Sequence, residues 1–175
     1  MQWRPLLEQS LQYTVAVTDN LMSLTEDSAL DWKPSSGENW LTTGQLLDHL
    51  ATCCEGPFKG FITGEWAMPE DCDPNEMSME DMLPPAEKFP TVDSVASARE
   101  KLAADLQGAL AMLAKATDEQ LENQPSPAMW DPTPMPLGKR LLTMVDHLAI
   151  HKAQLFYYLK LQGKPVNTMH LWAPG

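Results

Sequence analysis

Three histidines in this chain have a spacing that could hold a metal ion. His147 and His151 lie four residues apart in a stretch, Leu137 to Gly163, whose pattern predicts one long helix. Side chains four apart share a helix face, with Cβ atoms roughly 5–6 Å apart. His49 lies in a second helical stretch, LLDHLATCCE, which repeats much of the sequence VDHLAIHKAQ around His147. We therefore expect the two helices to meet and the three imidazoles to converge.

Three neutral imidazoles suit a divalent ion such as Zn²⁺, Ni²⁺ or Fe²⁺ and leave coordination positions open for water or substrate. Such a centre can acidify bound water, bind and activate a thiolate, or polarise a carbonyl. The pair alone is weaker evidence, because it lacks the Glu of the HExxH motif and histidines four apart are common on polar helix faces. By itself, His49 also fits a partly buried core histidine.

On a helical wheel, the histidines lie at the border of the apolar face of each helix. In the last helix that face comprises Leu141, Met144, Val145, Leu148, Leu155, Phe156 and Leu159. The same border carries Arg140, Gln154 and Tyr158 in the last helix, and Gln45 and Cys53 one turn either side of His49. Gln45, Arg140, Gln154 and Tyr158 are therefore candidates for orienting a substrate at the metal.

Other polar residues nearby have simpler interpretations. Asp48 and Asp146 each precede a histidine and point about 100° away from it, so neither is a same-face ligand. Cys53 and Cys54 are more typical of small buried apolar residues than of ligands. Tyr158 also fits a packing residue, and His170 lies in a tail without periodicity, where we expect it to be solvated.

The remaining pattern predicts helices and loops but no strands. The predicted helices run from Pro5 to about Thr25, from Thr42 past a break at Gly56-Pro57, from Asp93 to about Ala116, and from Leu137 to Gly163, with short turns at Glu26–Leu30, around Glu76–Met82 and after Thr117. Thr42-x-x-Gln45 is a capping-box pattern, and Pro57 removes a backbone donor. Four long helices predict one all-α domain, residues 1–175, folded as a four-helix bundle with a long crossover at 64–91.

Composition narrows the possible partners. The formal net charge of −12 over 175 residues disfavours binding to a phosphate backbone, so nucleic acid is not an expected partner. No stretch approaches the 18 apolar residues of a membrane span, and no signal-peptide pattern is present. Three cysteines, two of them adjacent, do not form a disulfide framework. A reducing cytoplasm is the expected setting.

Two segments of the chain resemble the DinB-like family of metal-dependent enzymes. They are LDWKPSSGENWLTTGQLLDHLA, from Leu30 to Ala51, and MVDHLAIHKAQLFYYLKLQGKPV, from Met144 to Val166. The resemblance implies an up-down-down-up four-helix bundle, often a homodimer, with a metal triad that falls on His49, His147 and His151. The family includes thiol-dependent transferases and a thiol-dependent maleylpyruvate isomerase. This chain departs from the family pattern at Gly56-Pro57 and at Lys152.

Three functional hypotheses follow. The first is an enzyme with a divalent metal on the three histidines, acting on a low-molecular-weight thiol and a small electrophilic substrate by S-transfer, or by a related hydrolysis. The second is a non-catalytic homodimeric bundle, an interaction or stress-associated protein with a vestigial metal site. The third, a DNA-binding damage-response protein, is disfavoured by the acidic charge.

Overall fold

The computed structural model describes residues 2–66 and 85–173. Its α-helices in these ranges are α1 (Trp3–Ser23), α2 (Thr43–Ala51), α3 (Glu55–Thr63), α4 (Val95–Leu113), α5 (Asp118–Asn123) and α6 (Leu137–Leu161). Single 3₁₀ turns occur at Asp27–Ala29, Ala86–Lys88 and Thr168–Leu171. The described residues contain no strand, only two isolated bridges within 125–136. The all-α prediction is therefore confirmed, whereas the short helix predicted around Glu76–Met82 lies outside the described residues.

Local sequence signals account for several helix ends. Thr42 accepts a hydrogen bond from the backbone N–H of Gln45, and the Gln45 side chain accepts one from the Thr42 backbone, which is a complete capping box. Thr117 and Gln120 form the same box at the start of α5. Gly163 follows the last helix with φ 79°, a left-handed conformation that glycine adopts without a Cβ clash. The capping patterns predicted from the sequence are thus present.

The predicted break in the second helix occurs just before Gly56-Pro57. The helix ends at Ala51 and resumes at Glu55, which places Pro57 in the first turn of α3, where a missing N–H costs nothing. Asp105 of α4 accepts hydrogen bonds from the backbone N–H groups of Cys54 and Glu55, at 3.1 and 2.9 Å. A side chain from a neighbouring helix therefore caps the new N-terminus. Burial raises the pKa of this carboxyl to about 6.

The helices α2 and α3 act together as one member of the bundle and pack against α4 and α6. They run antiparallel to α6, since Thr43 pairs with Gln162 near the C-terminus of α6, while Phe61 lies under Arg140 near its N-terminus. They run parallel to α4, since Asp48 pairs with Lys101 and Glu55 with the later Asp105. The two members that the long connection joins thus run parallel in the described residues, as expected.

The first helix completes the core and receives the C-terminal segment. Trp3 of α1 covers Gly138 of α6, where a Cβ would lie 2.4 Å from the indole ring. At the other end of the chain, the carbonyl of Trp172 accepts a hydrogen bond from Tyr13, and Lys152 donates to the Leu171 carbonyl at 2.8 Å. The apolar face predicted for α6 is buried at every position. The tail, which shows no sequence periodicity, is nevertheless fixed on α1 and α6.

Candidate metal centre

The three histidines converge at the middle of the contact between α2 and α6. His49 comes from α2, His147 and His151 come from α6, and one ring nitrogen of each lies within 4.8 Å of those of the other two. The Nε2 atoms of His49 and His147 are 3.2 Å apart. The ring centroid of His49 lies 5.1 Å from that of His147 and 4.5 Å from that of His151. All three side chains are half-buried, so the cluster is neither a core packing feature nor fully solvated.

The surroundings of the cluster favour neutral imidazoles. Burial, followed by the neighbouring imidazoles of His151 and His147, lowers the pKa of His49 to about 4. Burial and His151 also lower the pKa of His147. At neutral pH the lone pairs of these rings are therefore available to a metal ion, because neutral imidazole is the ligand form.

A chain of hydrogen bonds orients His151. Its Nδ1 lies 2.9 Å from Oε1 of Gln154, whose Nε2 donates to the Tyr158 hydroxyl at 3.4 Å. The Tyr158 hydroxyl donates in turn to the carbonyl of Leu41 at 2.9 Å. Because the amide oxygen can only accept, His151 must carry its proton on Nδ1, which leaves the lone pair on Nε2. Such hydrogen bonds fix the tautomer and ring angle of metal-binding histidines.

Gln45 holds a neighbouring loop segment next to the centre. Its Oε1 belongs to the capping box of α2, and its Nε2 donates to the carbonyls of Ala86 and Phe89 at 2.7 and 3.0 Å. The ring of Phe89 consequently lies edge-on to that of His49, with centroids 6.0 Å apart. Gln45 thus places an apolar wall beside His49, and its own polar atoms are already engaged.

Arg140 lies away from the three histidines although it shares their strip of α6. Its guanidinium donates to the Ser126 and Thr133 carbonyls at 2.8 and 3.1 Å and to the carboxylate of Asp131 at 3.0 Å. It precedes His147 by seven residues, which is about 10 Å along the helix at about 1.5 Å per residue. Its contacts therefore order the loop between α5 and α6 instead of reaching the centre.

The other polar residues near the histidines have partners of their own. Asp48 is buried and pairs with Lys101 at 2.8 Å, whereas Asp146 is exposed, so neither joins the cluster. Cys53 and Cys54 are buried, as expected of small apolar residues. His170 makes its hydrogen bonds with Asn167 in the 3₁₀ turn of the tail. The predicted solvation of His170 is thus only partial.

Phe89 is the neighbour of the centre that the sequence did not indicate. It lies between Lys88 and Pro90 in the proline-rich crossover, where no periodicity points to a face. The only available signal was its position as an isolated aromatic residue in an otherwise polar segment. Its contact with His49 arises from the Gln45 hydrogen bonds, which join parts of the chain 41 and 44 residues apart.

Comparison with known proteins identifies the family. The family model described as the DinB superfamily matches residues 6–155. A crystal structure of a DinB-like protein from Bacillus cereus superimposes with a TM-score of 0.65 at 19% identity, covering 92% of this chain and 93% of that one. That likeness supports the fold alone. A search of curated proteins gave no match. From the match over most of its length, the chain belongs to the DinB superfamily.

Proposed function

We propose that this protein is a divalent-metal-dependent enzyme whose metal is held by His49, His147 and His151. The observation that carries the proposal is the convergence of three ring nitrogens within 4.8 Å on two different helices. Zn²⁺, Ni²⁺ and Fe²⁺ are the ions that suit an all-imidazole donor set. Three protein ligands leave positions open, which is typical of catalytic rather than structural metal sites.

The residues of the chain fit such an ion. Burial and the nearby imidazole of His151 lower the pKa values of His49 and His147, which keeps both rings neutral, and Gln154 leaves Nε2 of His151 free to bind. Phe89 shields one side of His49 from solvent. A bound ion would supply Lewis acidity, lowering the pKa of a coordinated water or thiol. The protein's part is to hold the three ligands and to restrict solvent around them.

For the reaction, we infer S-transfer from a low-molecular-weight thiol to a small electrophilic substrate, or a related hydrolysis. Membership of the DinB superfamily supports this inference, because the DinB-like family includes thiol-dependent transferases. Tyr158 and Gln154 support the ligand sphere, so we assign them positioning roles and not proton transfer to substrate. The alternative, a non-catalytic bundle with a vestigial site, predicts metal binding without turnover.

The metal site is tested by metal analysis of protein purified without a His tag. The wild type should retain about one equivalent of a divalent ion, and His49→Ala should lose most of it. His170→Ala is the matched control, since His170 lies in the tail and bonds to Asn167. Equal metal content in wild type and His49→Ala would rule out the site.

The reaction is tested with the metal-loaded protein, a small thiol and an activated aryl chloride. Thiol-dependent chloride release that His49→Ala abolishes would support the transferase. Full metal occupancy without turnover of any thiol–electrophile pair would favour the vestigial-site alternative.

We also propose that the protein forms a homodimer through an exposed apolar stripe on α6. Ile150, Tyr157 and Leu161 are 66%, 61% and 65% exposed and lie on one helix face, spaced by seven and four residues. Asp146 and Lys160 flank the stripe, each seven residues from Ala153, and no ion pair to either occurs in residues 2–66 and 85–173. Antiparallel packing centred on Ala153 would bring each aspartate to the lysine of the other copy.

Charge exchange tests this arrangement. Asp146→Lys and Lys160→Asp should each place like charges together and weaken the dimer, while the double variant should restore it. Sedimentation velocity at graded concentrations gives the dissociation constant of each. A dimer unaffected by both single variants, or a wild type that stays monomeric, would contradict the proposed interface.

A further inference from the structure

A crevice of about 410 Å³ opens between the loop 33–40 and the 3₁₀ turn at Ala86–Lys88. Its lining includes Lys33, Gly37, Glu38, Asn39, Trp40 and Glu87. This volume falls within the range of small-molecule sites, roughly 300–1,000 Å³. The crevice lies outside the three-histidine cluster, and none of the metal-site residues lines it.

The walls of the crevice are fixed by their own contacts. The indole N–H of Trp40 donates to the Ser36 carbonyl at 2.7 Å, and Trp40 lies over Gly37, where a Cβ would be 3.0 Å from the indole nitrogen. Gly37 has φ 85°, a conformation that favours glycine. Asn39 accepts a hydrogen bond from the backbone N–H of Ala86 at 2.8 Å, which joins the two walls. The crevice is therefore preformed.

Its charges suit a group that carries both signs. Lys33, Glu38 and Glu87 are exposed, and within the described part of the chain no ion pair or hydrogen bond involves their side chains. Two carboxylates in a crevice that an indole also lines favour an ammonium group. The single ammonium of Lys33 favours a carboxylate. An α-amino-acid group, with its ammonium and carboxylate on one carbon, matches this combination.

Contacts link each wall of the crevice to the three histidines. On one side, the Trp40 ring lies 6.3 Å from that of Tyr158, which is linked through Gln154 to His151. On the other, the turn that carries Glu87 ends at Phe89, whose ring contacts His49. Tyr158 follows His151 by seven residues, or about 10 Å along α6 at about 1.5 Å per residue.

We propose that the crevice binds the α-amino-acid group of the substrate, with its ammonium between Glu38, Glu87 and Trp40 and its carboxylate on Lys33. The rest of the ligand extends along Tyr158 towards the histidines. The proposed site for the charged group depends only on the residues that line the crevice. Only the direction of the extension rests on the proposed metal function, so the two parts are tested separately.

The first test uses the metal-free protein and follows backbone and indole N–H signals by NMR. L-Norleucine carries both charges, N-acetyl-L-norleucine only the carboxylate, and n-pentylamine only the ammonium. Norleucine should saturate shifts of Gly37, Asn39 and the Trp40 indole, with at least five-fold weaker binding for either single-charge probe. Lys33→Gln and Glu38→Gln should each weaken norleucine at least five-fold.

Lys139→Gln and Glu119→Gln are the matched controls, because both residues are exposed and lie outside the crevice. They should bind norleucine as the wild type does. Absence of shifts at millimolar norleucine would overturn the proposal, as would equal binding of pentylamine and norleucine. Because this arm needs no metal, a failed metal centre would leave its outcome intact.

The second test compares Co²⁺-loaded with Zn²⁺-loaded protein. If the ligand extends towards the histidines, Co²⁺ should broaden the terminal methyl signal of norleucine more than its α-proton signal. The reverse order, with saturable binding in the first test, would overturn the extension while leaving the crevice as a binding site.

Discussion

One strip of α6 carries two polar networks with different roles. Near the N-terminus of the helix, Arg140 binds carbonyls and the carboxylate of the loop 126–133. Further along, His151, Gln154 and Tyr158 form a chain that ends on the carbonyl of Leu41. The same strip of α6 thus orders a loop at one end and orients a histidine at the other, according to which segment packs beside it.

The two networks also differ in what each leaves unused. The guanidinium of Arg140 donates to three carbonyls and one carboxylate. Because Arg140 is only 2% exposed, it has no N–H group available to a substrate. The chain from His151 engages only Nδ1, and the ring lies with its centroid 4.5 and 4.7 Å from those of His49 and His147. Both networks end on backbone carbonyls, but only the one with an unused ring nitrogen suits chemistry, whereas the one whose polar atoms are all engaged suits stability.

Removing one of the three histidines should change metal affinity more than any change in the hydrogen-bond networks does. His147→Ala should lower metal affinity by more than about 100-fold, since even outer residues of metal sites are worth about 10- to 100-fold. The free energy of unfolding of the metal-free protein should change little, because the side chain is half-buried. Competition with a chromophoric chelator measures the affinity. Unchanged affinity would place the metal elsewhere.

Arg140→Met should show the opposite behaviour. Loss of hydrogen bonds from a buried charged group should cost about 3 kcal/mol of unfolding free energy. For a chain of this size, that lowers Tm by about 6–12 °C. Metal affinity should stay within about two-fold of the wild type, because Arg140 lies about 10 Å from His147 along the helix. A large loss of metal affinity with an unchanged Tm would reverse the roles assigned to the two networks.

Gln154→Leu tests the orientation of His151 with a smaller change. Without the amide oxygen, the proton of His151 is free to move to Nε2, so metal affinity should fall about 10-fold. Tyr158→Phe removes only the more distant hydroxyl and should lower affinity less, with a stability loss of about 1 kcal/mol. Chelator competition measures the metal affinity of both variants, and urea unfolding measures their stability. If Tyr158→Phe weakens the metal more than Gln154→Leu does, the chain is not the orienting device.

The smallest expected effect is on how the free energy of unfolding of the metal-free protein depends on pH, since the two networks respond in different pH ranges. His49 has its pKa lowered in the fold to about 4, mainly by burial, so the unfolded chain takes up its proton first as pH falls. The contribution of His49 to stability should therefore decrease between about pH 6.5 and pH 4. Asp105 acts in the opposite direction over part of this range, because its raised pKa of about 6 lets the folded state take up a proton first. Hydrogen bonds from Thr133, then Arg140, lower the pKa of Asp131, so that contribution is lost only at lower pH. Urea titrations of wild type and His49→Asn should differ by this decrease between about pH 6.5 and pH 4, and identical pH profiles of the two proteins would contradict the assignment.

Much of the fold and of the histidine cluster could be predicted from the sequence. Helix periodicity, the Thr42 and Thr117 capping boxes and the break before Pro57 depend on residues a few positions apart, so their physics is local. The predicted helix bounds differ from the observed ones by up to three residues, as helix ends commonly do. The border positions of His49, His147 and His151 also follow from helix geometry alone.

The uses of the neighbouring polar residues could not be predicted in this way. Gln45 and Arg140 occupy wheel positions as favourable as that of Gln154, yet they hydrogen-bond to loop segments 7 to 44 residues away. Lys152, a departure from the family pattern, turns away from the histidines to the tail. Periodicity gives the face of a helix but not the loop that will cover it.

What the sequence determined by itself was therefore the set of helices and the three histidines that could share an ion, because helix periodicity and caps are set by near neighbours. Which polar groups remain free beside the histidines depends instead on long-range packing. That outcome depends on the placement of the loops 33–40, 85–89 and 125–136, where contacts between distant parts of the chain consume Gln45 and Arg140 and leave Nε2 of His151 open.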